Sequence, residues 1–208
     1  HEGQQLSSSY KSLMDGSLWS GSYITTGIFY ETISNKILWN IFNLESIGLK
    51  RLADIILILI LKFLLIILIF QSTKFLNLNQ FYKNIFFTFC SLISLTVIDY
   101  NIISVDHLDS REIPVLILII LLINFFQTNQ SNKLIIFIFG FLSITSLLWG
   151  VDRGLVINLT ILSLGLFFIL RKNYKIFGIL FFSIIFWWSF FYLILGNEFN
   201  YFVLNTLS

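Results

Sequence analysis

Glu2 is the first residue whose type and position could serve catalysis. It lies in His1-Glu2-Gly3-Gln4, at the start of residues 1–51, which form the only long polar stretch of the chain. A carboxylate in a polar loop next to hydrophobic spans can take a proton from a substrate hydroxyl or help to hold a metal ion. An acid at the start of a chain is more often only solvated, so the catalytic interpretation depends on the rest of the sequence.

A second group of charged residues precedes Pro114, in the order Asp106-His107-Leu108-Asp109-Ser110-Arg111-Glu112. Acids just ahead of a helix favour its positive end, and Pro fits a first helical turn, so Asp109 and Glu112 equally suit a capping role. The alternative is that Asp109 or Arg111 contributes to a substrate site. His107, between acids, is a candidate ligand for a divalent metal ion, although lone loop histidines are usually solvated.

A third pair, Asp152-Arg153, lies in the short connection Trp149-Gly150-Val151-Asp152-Arg153-Gly154. A connection this short between two apolar segments predicts that both charges lie at the membrane surface. Adjacent opposite charges usually form an interfacial salt bridge. The other interpretation is that both residues belong to a substrate site where Arg153 holds a lipid phosphate, because a guanidinium meets phosphate oxygens in a two-pronged geometry.

The composition determines the class of protein that carries these residues. Of 208 residues, 57% are hydrophobic and 12% charged, and the mean hydropathy is +0.87. No soluble domain of this size could bury so much apolar surface, so a polytopic membrane protein is predicted. Cys90 is the single cysteine, which excludes a disulfide framework and a Cys-based metal cluster.

Six apolar segments follow the polar stretch and are predicted to span the membrane as helices. Helices are required because backbone groups in lipid must bond within their own segment, and no ten-residue alternation typical of barrels appears. The expected fold is all-α: residues 1–51 form an outer loop with short interfacial helices, and residues 52–208 form a transmembrane bundle. The segments are 52–71, 85–98, 113–128, 134–150, 154–170 and 176–195.

The charges of the connections predict an orientation. Connections 72–84, 129–133 and 171–175 carry six basic residues and no acid, whereas 99–112, 151–153 and 196–200 carry six acids and only Arg111 and Arg153 as basic residues. The positive-inside rule makes the basic connections cytoplasmic. Residues 1–51, the acidic loop, the Gly150–Gly154 connection and the final polar segment then share the outer side. The six acids are Asp99, Asp106, Asp109, Glu112, Asp152 and Glu198.

The first 51 residues also carry a pattern of motifs. Glu2 is followed by Asp15-Gly16-Ser17-Leu18-Trp19, a Gly/Ser/Thr run to Gly27, an apolar amphipathic piece and Ile47-Gly48-Leu49-Lys50-Arg51. This order resembles the first outer loop of membrane-embedded C-type glycosyltransferases, which use dolichyl- or undecaprenyl-phosphate sugars. The resemblance covers about the first half of the chain. The sequence lacks the Pro-containing piece that follows the acid in this family. The resemblance implies that a first span precedes His1.

The resemblance implies a function and a location. Glu2 takes the position of the family's acid, and Gly48 and Arg51 take the entry to the second span. The implied activity is hexosyl or pentosyl transfer from a polyprenyl-phosphate-linked sugar to an acceptor on the outer face, in a bacterial inner membrane with residues 1–51 in the periplasm. Glu2 would act as the base or organise a divalent metal ion. Arg111 and Arg153 would hold the donor phosphate.

Two other functions stay open at this stage. A transporter or flippase of lipid-linked or small polar solutes would place charges near the membrane midplane, and Lys62 is the one clear candidate in the apolar run Ile55–Phe70. A structural subunit is the second alternative. The chain contains no phosphate-binding Gly-x-x-x-x-Gly-Lys, no Gly-x-Gly-x-x-Gly and no His-Glu-x-x-His, so cytosolic nucleotide chemistry is not predicted. Nucleic acid is not an expected partner, because the basic connections are short.

Overall fold

The structure is a computed structural model that describes residues 2–20, 27–96, 110–128 and 132–207. Within these residues it contains helices and no strands, which confirms the predicted all-α class. A π-helical turn, Phe29–Ile33, precedes α2, and a 3-10 turn, Ser110–Glu112, precedes α5. The α-helices are α1 (Glu2–Asp15), α2 (Ser34–Phe42), α3 (Ile47–Thr73), α4 (Gln80–Thr96), α5 (Ile113–Gln127), α6 (Lys133–Trp149), α7 (Val151–Leu170), α8 (Tyr174–Leu195) and α9 (Asn197–Leu207).

Four helical segments are long and apolar enough to cross a membrane, which indicates an integral membrane protein. They are Ile47–Thr73, Ser110–Gln127, Val151–Leu170 and Tyr174–Leu195. α6 is apolar but has only 17 residues, and α4 is also 17 residues long. Each of the six predicted apolar segments overlaps one of these helices, and residues 97 and 98 of the second segment lie outside the described residues. A six-span arrangement stays a prediction, since two of the six helices are shorter than an ordinary span.

Local sequence signals explain several helix ends. Asn132 caps α6, because its side-chain oxygen accepts from the backbone N–H groups of Leu134 and Ile135, as expected for Asn at this position. The Ser46 hydroxyl oxygen accepts a hydrogen bond of 3.2 Å from the backbone N–H of Leu49 in the first turn of α3. Pro114 lies in the first turn of α5, as predicted, but Glu112 at the N-cap makes no side-chain capping bond. The capping role considered for Glu112 is therefore not seen.

The chain divides into two compact units, Asp54–Ser131 and His1–Ala53 with Asn132–Ser208. In the first of these, α3 and α4 run antiparallel: Phe70 packs on Phe87, and the Lys62 ammonium lies 3.3 Å from the carbonyl oxygen of Leu95. Lys62 donates to a carbonyl in the last turn of α4, where the helix dipole favours a cation.

The other unit is built on α6, α7 and α8. α6 and α8 run parallel: Gly140 lies against Ser183, and Ser143 receives a hydrogen bond from the Trp188 indole at 3.0 Å. α7 runs antiparallel to α6: Gly154 lies against Leu147, and Asn158, one turn later in α7, bonds to Ser143, one turn earlier in α6. The α6–α7 corner and the α8–α9 corner therefore lie at the same end of the three helices. We call this the hairpin end.

Candidate functional site

The N-terminal segment, residues 2–20 and 27–33, packs on the hairpin end. A side chain at Gly27 would lie 2.0 Å from the Trp149 carbonyl oxygen, so only glycine permits this approach. Phe29 stacks on Trp149 with ring centroids 6.0 Å apart. A buried apolar cluster connects the N-terminal segment, the end of α6 and α9. Its members are Trp19, Ile28, Ile144, Leu147, Leu148, Phe199 and Phe202.

Glu198, in the first turn of α9, stabilises the contact between the N-terminal segment and α9 by hydrogen bonds. Its Oε2 accepts the backbone N–H groups of Leu18 at 3.2 Å, Trp19 at 2.7 Å and Ser20 at 3.1 Å. Its Oε1 accepts the Ser20 hydroxyl. Four donors on one carboxylate are a strong arrangement, because hydrogen bonds to an ionised acceptor are roughly twice as strong as neutral ones. We call this interaction the Glu198 clasp.

The clasp changes the acidity of Glu198. Partial burial opposes ionisation of the carboxyl, but the hydrogen bonds from the Ser20 side chain and from the backbone of Ser20, Trp19 and Leu18 outweigh it. The pKa of Glu198 is therefore lower than the ordinary glutamate value. The clasp is ionised, and strongest, at neutral pH.

Behind this contact, α1, the π-helical turn and α2 enclose a group of small polar side chains that we call the hydroxyl cluster: Ser8, Ser9, Ser12, Thr32 and Asn35. The Ser9 hydroxyl donates to the Gln5 carbonyl at 2.6 Å, and Thr32 donates to Ser8 at 3.1 Å. Asn35 donates from its amide nitrogen to Ser9 and to the Glu31 carbonyl. The three segments are thus joined by hydrogen bonds rather than by apolar packing alone.

Two charged residues and one unpaired oxygen accompany the hydroxyl cluster. Glu31 is only 5% exposed although it carries a carboxyl. The Lys36 ammonium donates to the Ser12 carbonyl at 2.7 Å and to the Ser12 hydroxyl at 3.1 Å. The Oδ1 of Asn35 is buried without a hydrogen-bond partner, and native structures leave few such groups. Glu31 and Asn35 lie on a π-helical turn and the helix after it, and π-helical turns are frequent at functional sites.

The predicted site residues fall in different places. Asp152 and Arg153 come together at the start of α7, where the guanidinium lies 3.1 Å from the carboxylate, so the predicted salt bridge forms. Glu2 is the first residue of α1. Arg111 lies in the 3-10 turn before α5, in the unit Asp54–Ser131. Asp109 and His107 lie outside the described residues.

Sequence reasoning missed Asn35, which belongs to the hydroxyl cluster, and Glu31 and Lys36, which flank it, and it gave Glu198 no partner. The available signal was spacing. Gln5, Ser8, Ser9 and Ser12 follow the i, i+3, i+4, i+7 pattern of one helix face, and Glu31 and Asn35 are four residues apart. The buried face of α1 is this small polar one.

The expected divalent metal ion would need a cluster of ligands. Among residues 2–20, 27–96, 110–128 and 132–207, no group of three or more His, Cys, Asp or Glu side chains could hold a metal ion. Metal binding at Glu2 or His107 stays a prediction from the sequence.

Comparisons of the chain with protein-family models, with curated proteins and with solved structures found no match.

Proposed function

We propose that this chain is an integral-membrane glycosyltransferase that moves a sugar from a polyprenyl-phosphate donor to an acceptor at the outer membrane face. One observation carries the proposal: the N-terminal segment, the α6–α7 corner and the start of α9 pack together at the hairpin end. Charge bias in the connections assigns the same three regions to one side of the membrane. A reaction site on that side requires polar residues that lie close together at the end of an apolar helix bundle. The packing at the hairpin end supports such a site.

Glu2 would act as the general base. Its carboxylate takes the proton of an acceptor hydroxyl as the oxygen attacks the anomeric carbon of the donor sugar. The new glycosidic bond forms, the bond between that carbon and the phosphate oxygen breaks, and polyprenyl phosphate leaves with the electron pair. A base in this role contributes about 10²–10⁴ in rate.

Arg153 would hold the donor phosphate, with Asp109 and Arg111 as further substrate-binding residues. The side chains of Arg153 and Asp152 are 38% and 48% exposed, so a ligand can approach them. Asp152 also accepts the backbone N–H of Arg153 at 2.9 Å, which fixes the carboxylate next to the guanidinium. This holds the guanidinium in one orientation, and its planar, two-pronged geometry is the one that matches phosphate oxygens.

The test measures transfer of labelled sugar from polyprenyl-phosphate donors by the purified protein in proteoliposomes. We expect Glu2→Gln to lower kcat by about 10²–10⁴ with little change in donor KM, because a base acts in the transition state. Arg153→Gln should mainly raise donor KM. The matched control is Glu45→Gln, an exposed acid between α2 and α3, which should leave both constants unchanged.

Transfer by Glu2→Gln at the wild-type rate would remove Glu2 from the mechanism. The alternative result is that the wild-type protein moves the lipid-linked donor across the bilayer and transfers no sugar to any acceptor. That result would contradict the glycosyltransferase and support the transporter or flippase.

A further inference from the structure

Burial in the α1–α2 layer differs from that in a water-soluble domain. Four hydroxyl side chains and one amide, those of the hydroxyl cluster, are buried here, whereas several large apolar side chains of the two helices are exposed. On α1, Met14 is 68% exposed while Ser9 and Ser12 are fully buried. On α2, Ile41 is 64% exposed while Asn35 is 1% exposed. Water would favour the opposite distribution, since exposed apolar surface raises the free energy of the folded state.

The outward apolar residues of α2 form one continuous face. Ile37 and Ile41 are four residues apart on one side of α2, and Phe42, Leu44 and Ile47 follow at the end of α2, in the α2–α3 corner and at the start of α3. All five are more than half exposed. We call this surface the corner face. The opposite side of α2 carries Asn35 and Trp39, both buried, so the exposed side is the one available to a partner.

The position of the corner face in the chain identifies its partner. Asn43, in the left-handed conformation, ends α2, and α3 begins four residues later at Ile47. α3 has 27 residues and is therefore roughly 40 Å long, which exceeds a hydrocarbon core of about 30 Å. Its first turn consequently reaches the membrane interface, and Leu52, in the second turn of α3, is another exposed apolar residue that follows the corner face in the chain.

We infer that the corner face is a membrane-docking surface, on which Ile37, Ile41, Phe42, Leu44 and Ile47 enter the boundary between lipid headgroups and acyl chains. α2 then lies in the plane of the interface with its apolar side about 5–10 Å deep, as interfacial amphipathic helices do. The hydroxyl cluster lies on the other side of the same helix, within about one helix diameter, roughly 10 Å, of the lipid. This inference stands independently of the proposed function.

Spin labelling in proteoliposomes tests the inference. Single cysteines at Ile37, Ile41 and Asn40, in a Cys90→Ser background, receive a nitroxide label, and power saturation compares collisions with oxygen, which enters lipid, and a water-soluble nickel chelate. Asn40 is the matched control, since it is exposed on the same helix and next to Ile41. All three positions are on the surface, so labels there should not disturb folding.

We expect labels at Ile37 and Ile41 to collide with oxygen at least several-fold more than with the nickel chelate, and the label at Asn40 to show the reverse. Equal access of nickel to all three positions would mean that the face contacts water and would overturn the inference. Low access of both reagents, with dipolar broadening between labels on different molecules, would show that a second copy covers the face and would also overturn it.

Discussion

The Glu198 carboxylate joins parts of the chain that are 178–180 residues apart, and it does so through backbone groups. Removing this acceptor would break its hydrogen bonds with the backbone N–H groups of Leu18, Trp19 and Ser20, of which the first two are partly buried. Loss of the partner of a buried polar group costs about 1–3 kcal/mol. The stability of the contact between the N-terminal segment and α9 therefore depends strongly on one side chain.

Glu198→Ala should destabilise the protein by about 1–3 kcal/mol, measured as a lower midpoint of thermal unfolding in detergent micelles. Glu198→Gln should lie between this variant and the wild type, because it keeps one acceptor oxygen but loses the charge. Glu45→Ala is the control, since Glu45 is exposed and in the same unit. Equal midpoints for Glu198→Ala and Glu45→Ala would show that the clasp contributes nothing.

The clasp should also be sensitive to acid. The pKa of Glu198 is lower in the folded protein than the ordinary value of 4.5, so the unfolded state binds the proton more tightly. The stabilisation is fully present above about pH 4.5 and is lost as the pH falls through the folded-state pKa. The difference in unfolding midpoint between wild type and Glu198→Gln should therefore shrink below pH 4.5. A constant difference across that range would contradict the assignment.

At the level of helices, the α6–α7–α8 bundle is held by close backbone approach and by polar side chains. Asn158 accepts the Ser143 hydroxyl at 2.6 Å and donates to the carbonyl oxygens of Ser143 and Gly154. Ser183 donates to the Phe137 carbonyl at 2.7 Å. Such hydrogen bonds and small residues are the usual means of association between apolar helices, because lipid supplies no hydrophobic driving force between them.

Gly140→Ala should separate α6 from α8. Its new methyl group would lie 2.1 Å from the Ser183 hydroxyl and 2.6 Å from the Ser183 backbone carbon, so the helices must move apart, at a cost of about 1–3 kcal/mol. Gly178→Ala on α8 is the control, because nothing lies within 4 Å of its added carbon. That variant should be neutral or more stable by about 0.5–1 kcal/mol. The measurement is the midpoint of thermal unfolding of both variants in detergent. Equal midpoints would contradict the close packing of α6 on α8.

For the whole molecule, the distribution of basic residues predicts which connections face outward. In a Cys90→Ser protein expressed in cells, cysteines at Ser17 and Asn197 should react with an impermeant thiol reagent added outside. Cysteines at Asn79 and Asn173 should react only after the membrane is opened, because their connections carry the basic residues. Labelling of the Asn173 cysteine from outside would show that the predicted orientation is wrong. Labelling of all four cysteines from outside would show that the assignment of the spans is wrong.

The sequence alone determined the helical class and the positions of the long apolar helices. The reason is local: a segment in lipid must satisfy its own backbone hydrogen bonds, so an apolar run of sufficient length becomes a helix wherever it occurs. Helix ends at Asn132, Pro114 and Gly16 follow from the conformational preferences of single residues. The Asp152–Arg153 ion pair was also predictable, because adjacent residues at a corner need no distant partner.

Only the tertiary structure decided which polar groups meet. Nothing local to Glu198 indicates that it receives donors from Leu18, Trp19 and Ser20, because side-chain partners so distant in sequence are chosen by how the helices pack. The hydroxyl cluster went unpredicted for the same reason. Periodicity shows that Ser8, Ser9 and Ser12 share a face, but whether that face meets water or another polar helix depends on which element covers it. Here the π-helical turn and α2 cover it, so its polar residues are buried and hydrogen-bonded instead of solvated.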